Sequence, residues 1–173
     1  MTSPSVVRPA VPEDKAEVWR LFKALHAENA LFKISDEKVE FYINRLLNPE
    51  TIKAEDTGPR GFIGVIGPVG ALEGCIMLTI GAVWYSEEWT LDEHLNFVDP
   101  QYRRSEHAKA LIDFAKNCAD KIGVRLVIGV LSTKRTAAKV RLYERKLMPA
   151  GAFFIHPPPE NLNPPKSLYR TTH

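Results

Sequence analysis

Residues 91 to 122, LDEHLNFVDPQYRRSEHAKALIDFAKNCADKI, gather the side chains best suited to holding an anion. Leu91 to Val98 is an apolar-rich run stopped by Asp99-Pro100, the pattern of a strand ending in a turn. Ala108, Leu111, Ile112, Ala115, Cys118, Ala119 and Ile122 then recur at helical spacing, which predicts a helix starting near Arg104. Tyr102, Arg103, Arg104, Ser105, Glu106 and His107 fall between strand and helix. Such a turn aims unpaired N–H groups and the positive end of a helix dipole at one spot. Arg103 and Arg104 add full charges, so the expected ligand is a phosphate. A plain strand-to-helix turn with solvated arginines is the alternative.

Proton chemistry has candidates on the same strand. Alternation puts Asp92 and His94 on one face and Glu93 on the other. An imidazole titrating near neutrality is an efficient base. His107 reads as a neighbour of the bound anion or a surface residue rather than as a base. Lys134, Arg135, Lys139, Arg141, Arg145 and Lys146 crowd a later helix. No interleaved aromatic platform accompanies them, which disfavours nucleic acid and leaves a solvated face with some phosphate contact. No metal-ligand cluster stands out, and the Gly-x-Ser-x-Gly turn of a serine hydrolase is absent.

These residues need a scaffold, and the chain supplies one in order. Ser5 to Arg8 is a short strand candidate. Pro12-Glu13-Asp14 opens a helix whose stripe is Val18, Leu21, Phe22 and Leu25. A second helix spans about Asp36 to Leu47. Residues 48 to 60 read as a loop. Gly61–Ile66 and Leu72–Tyr85 are strong strand runs joined by Gly67-Pro68-Val69-Gly70. Gly64, Gly74 and Gly81 inside them point to bulges or close backbone approach. After the long helix, Gly123 marks its end. Arg125 to Leu131 suits a central strand buried on both faces. Ser132-Thr133 leads into a helix over about Arg135 to Lys146, and Ala152 to Ile155 is a final strand.

The chain has 173 residues and a net charge of +2. That length suits one domain over residues 1–156, followed by a proline-rich tail over 157–173. The small charge gives no case for a nucleic-acid or membrane surface. Cys75 and Cys118 read as small buried hydrophobes of a reducing compartment. With no charged-then-apolar start and no stretch long enough to span a bilayer, the expected location is the cytoplasm.

The turn resembles motif A of the GNAT superfamily of N-acyltransferases, V-x-P-x-Y/F-R-x-x-G-x-G/A. Val98, Pro100, Tyr102 and Arg103 match, Glu106 stands where the family has glycine, and Ala108 takes the last position. The resemblance implies an α/β (mixed α+β) fold over residues 5 to 156. Its sheet is mostly antiparallel, with six to seven strands and about four helices, splayed between the fourth and fifth strands. It also implies acetyl-CoA as cosubstrate. Its pyrophosphate would lie on the amides of Arg104 to Lys109, beside Ser105, Glu106, His107 and Ala108. Arg103, Arg104 or Lys109 would add charge. The backbone around Phe97 and Val98 would polarise the thioester carbonyl.

A second resemblance is Leu142-Tyr143-Glu144-Arg145, which is similar to the family's L-Y-E-K/R. It implies that Tyr143 protonates the departing thiolate. The family's K-L-G-F continuation is here Lys146-Leu147-Met148-Pro149. Asp92 falls where several family members carry glutamate, so Asp92 or His94 is the implied base for the acceptor amine. Thr136 stands near the family's asparagine and can cap its helix. The first two helices would flank the acceptor entrance, with Phe32, Phe41 and Tyr42 as lining or core. The function implied is acetyl transfer to an amine of a small molecule or protein, with a homodimer common in the family. The rivals are a CoA-binding scaffold without turnover and a nucleic-acid-associated domain.

Overall fold

The computed structural model describes residues 5–29, 31–132 and 134–157. The proline-rich tail beyond Pro157 and Thr133 of the expected turn lie outside them. The chain runs β1 (Arg8–Pro9), α1 (Lys15–Asn29), α2 (Asp36–Leu47), β2 (Arg60–Ile66), β3 (Gly74–Ala82), β4 (Trp89–Val98), α3 (His107–Ile122), β5 (Arg125–Val127) and α4 (Thr136–Glu144). The strands form one sheet in sequence order, antiparallel throughout except for the parallel pair β4–β5.

Helix α1 begins after a 3-10 turn at Pro12–Asp14, where Asp14 is buried. Its carboxylate accepts from the Val11 amide at 2.9 Å and pairs with Arg8 at 2.7 Å, tying strand to helix. Helix α2 starts at Ser35, whose Oγ accepts from the Lys38 amide, and Ile43, Leu46 and Leu47 are its buried stripe. Together α1 and α2 cover one face of the sheet, over Ile63, Val65, Cys75, Met77, Leu95 and Phe97. Helix α3 covers the other face, with Leu111, Ala115 and Ala119 against Ile66, Ile76, Leu78 and Leu91. It ends at Gly123, whose φ of 78° is left-handed, with its amide on the Ala119 carbonyl.

Strand β4 changes parity in its middle. Leu91 packs with α3, yet Leu95 packs with α1 and α2, although a regular strand would turn both to one side. The cause is a bulge: Leu78 pairs with Glu93 and Met77 with Leu95, leaving His94 as an extra residue.

The sheet corrects three expectations. Only two residues near the N-terminus pair as a strand. The run from Arg125 to Leu131 contributes three paired residues rather than a buried central strand, and Leu131 is exposed. Ala152 to Ile155 is not a strand, so the described sheet has five strands rather than six to seven. Apolar patterning shows that a segment tolerates extended backbone. It does not show whether a neighbour offers a free row of N–H and C=O groups.

Candidate active site

Strands β4 and β5 part company. Their pairing stops at Asp92 with Val127, while β4 continues to Val98. The gap opens into a cavity of about 490 Å3 walled by Asn96, Phe97 and Val98, by the turn into α3, and by the Lys139–Tyr143 side of α4. Among the described residues no helix is long and apolar enough to cross a membrane.

The turn is built by its own short hydrogen bonds. Asp99 Oδ1 accepts from the Gln101 amide at 3.1 Å, and the Tyr102 and Ser105 amides close successive turns. Ser105 Oγ donates to the Tyr102 carbonyl and accepts from the His107 amide. The amides of Glu106, Ala108 and Lys109 have no partner among the described residues, so they are available to an anion. Glu106 has a φ of −82°, so the backbone there does not require glycine. Its exposed carboxylate pairs with Lys109 at 3.4 Å.

The other residues of the turn divide. Arg103 lines the cavity, but it is engaged: Nε donates to the Val98 carbonyl, a terminal nitrogen meets Glu28 at 2.7 Å, and the guanidinium lies over the Phe97 ring. Arg104 is exposed and outside the lining. The His107 side chain is fully buried and points away from the cavity, between Ser5 Oγ at 2.8 Å and Glu73 at 2.5 Å.

Across the cavity the Asn96 side-chain amide donates to the Tyr143 hydroxyl at 3.2 Å. Burial pushes the Tyr143 pKa up, nearby Glu93 adds to the rise, and the Asn96 bond opposes it. The phenol therefore stays protonated at neutral pH. Glu93 is pushed up to about 7 by burial, against the pull of Lys139 and a hydrogen bond from the Gly129 amide. Tyr143 also borders a second cavity of about 400 Å3 between Leu126–Val130 and Leu147–Phe153.

Asp92 and His94 do not share this wall. His94 Nε2 sits 2.6 Å from Thr79 Oγ1, and its ring meets Tyr42 of α2 edge-on. Loss of surrounding water lowers the His94 pKa, with Asp92 opposing. Asp92 pairs with Thr79 and lies over Gly81, where an added Cβ would fall 2.5 Å from its Oδ2. Both residues thus face α2. Thr136 is the first residue of α4 and donates to the Ser132 carbonyl at 2.9 Å, outside the cavity lining. The helix has no side-chain cap. Its N-cap is Arg135, in the left-handed region at φ 58°.

Sequence reasoning missed Asn96 and Glu28, and it placed Lys139 only on a basic, solvated helix face. Glu93 was set aside by alternation from Asp92, and the bulge is what brings it to the face of Asn96. Glu28 comes from α1, remote in sequence, and no local pattern signals it.

This sheet, its parted strands and the turn into α3 define a fold shared with solved acetyltransferase structures. The chain has the GNAT fold. Solved structures agree along most of its length, all at low identity. Ribosomal-protein-alanine N-acetyltransferase from Brucella melitensis biovar Abortus 2308 superposes with a TM-score of 0.61 at 19% identity, covering 87% of this chain and 96% of that one. An aminoglycoside acetyltransferase, meta-AAC0020 from an uncultured soil metagenomic sample, solved with sisomicin, gives 0.58 at 17%, covering 87% and 92%. AAC(6′)-Iy, solved with the bisubstrate analogue CoA-S-monomethyl-acetylneamine, gives 0.63 at 13%, covering 87% and 95%. No protein-family model and no curated protein matches the sequence.

Proposed function

We propose that the protein moves an acetyl group from acetyl-CoA to an amine. The observation that carries this reading is the Tyr143 hydroxyl, held by Asn96 in the same cavity that ends at the amides of Glu106, Ala108 and Lys109, which have no partner among the described residues. An anion and a thioester joined by a long arm suit these two ends. Exposed Lys109, with Arg145 and Lys146 just past the end of α4, supplies positive charge along the cavity rim.

Acetyl-CoA supplies the activated acyl carbon, and the chain handles the protons. Glu93, titrating about neutrality, takes the proton of the acceptor ammonium, directly or through water. Tyr143 gives its proton to the departing thiolate. Asp92 and His94 sit on the other face of β4, toward α2, which leaves Glu93 as the base on the Tyr143 side. The test is calorimetric titration with acetyl-CoA, with CoA and ATP as controls, followed by an amine screen read by thiol release. Binding that needs the pantetheine arm, with thiol release for some amine, supports the transferase. The Glu28–Arg103 pair, a carboxylate inside the cavity, favours a second reading as a CoA-binding sensor. Tight binding without release across the screen selects it.

A further inference from the structure

We propose that Lys139 is itself an acyl acceptor, so that the protein acylates its own α4 from an acyl-CoA thioester when no other amine is bound. This rests on the coenzyme reading above.

The argument is one of placement. Lys139 is half-buried, lines the cavity with Asn96 and Tyr143, and precedes Tyr143 by one helical turn, so both project from one side of α4. Among the described residues its amine makes no close ion pair or hydrogen bond, whereas Lys146, just past the end of the helix, is held by Asp113. The charged groups facing it are Glu28 from α1, Glu93 from β4, Arg103 from the turn and Arg135 from the start of its own helix. Burial lowers the Lys139 pKa and the two arginines assist, while the two carboxylates oppose. A larger share of the amine is therefore neutral than on an exposed lysine. A pure counter-ion to Glu28 and Glu93 would be closely paired with them, and among the described residues Lys139 is not.

The step balances without further reagents. The neutral amine nitrogen attacks the thioester carbonyl carbon, a C–N bond forms and the C–S bond breaks. Glu93 takes the proton lost by nitrogen, and the Tyr143 hydroxyl protonates the thiolate, giving free CoA and an amide on Lys139. The modified side chain carries no charge.

The full chain is incubated with acetyl-CoA and no added amine, then mapped by peptide mass spectrometry while calorimetry reports coenzyme binding. Acetylation of Lys139 is expected about a hundredfold faster than at exposed Lys38 and Lys121, the scale of one positioned proton-transfer group. Excess CoA should suppress it, Glu93→Gln should slow it, and Lys139→Arg should abolish the mass gain. Coenzyme binding with Lys139 unmodified overturns self-acylation and leaves the transferase reading standing. No binding at all overturns both. Modification that excess CoA leaves unchanged is simple chemical acetylation and also overturns the proposal.

Discussion

The Asn96 side chain, on β4, donates to the Tyr143 hydroxyl, on α4, across the gap where β4 and β5 have parted. That bond fixes the direction of the phenolic oxygen and leaves its proton free to be donated. Tyr143→Phe is expected to reduce turnover about a hundredfold with coenzyme affinity nearly unchanged. Asn96→Ala, which only releases the hydroxyl, should cost about tenfold, the weight of one hydrogen bond. Steady-state kinetics beside calorimetry separates the two effects. Equal turnover in Tyr143→Phe would remove the acid assignment.

Glu93 links activity to pH. A base must be ionised, so the rate should rise as pH passes about 7 and level above it. In Glu93→Gln that rising limb should disappear along with most of the rate. A limb that persists unchanged points to His94.

The same carboxyl makes a stability statement. Its folded pKa lies above the unfolded value, so the folded state holds the proton more tightly. Stability is therefore lost as pH rises from the unfolded pKa toward the folded one. Glu93→Gln should melt close to the parent at about pH 5 and above it at about pH 8. Melting curves at both values decide the sign.

The chain Ser5–His107–Glu73 anchors the start of α3 from behind. His107→Ala leaves a buried carboxylate short of a donor, which should cost about 1–3 kcal/mol in urea unfolding. Coenzyme affinity should fall too, because the amides of Ala108 and Lys109 lose their support. Ser5→Ala, at the half-buried end, should cost less.

Gly64 lies where β2 meets the α3 layer. An added Cβ would stand 2.5 Å from Phe114 Cε1 and 3.0 Å from a Val7 methyl. Gly64→Val should lose about 1–3 kcal/mol by overpacking, measured by denaturant midpoint at constant slope.

Much of this protein was legible in order along the chain. Periodicity located the four helices, with α2 spanning Asp36–Leu47 as expected, and Gly123 marked the end of α3. The Val98–Ala108 turn was visible because local backbone geometry restricts residue types within a few positions, and the Leu142-Tyr143 pair through its resemblance to a family motif. What one strand's alternation could not reveal was the extra residue His94, because a bulge depends on the register of the partner strand. That one insertion turns Glu93 toward Asn96 and Tyr143 and leaves Asp92 and His94 facing α2. Glu28 reaching Arg103, and Glu73 reaching His107, are likewise meetings of distant segments. The sequence by itself determined the helices and the turn, since those follow from short-range sterics and hydrogen bonding. Only the tertiary structure decided which titratable groups share a wall, since that depends on where the sheet splits and how its strands are registered.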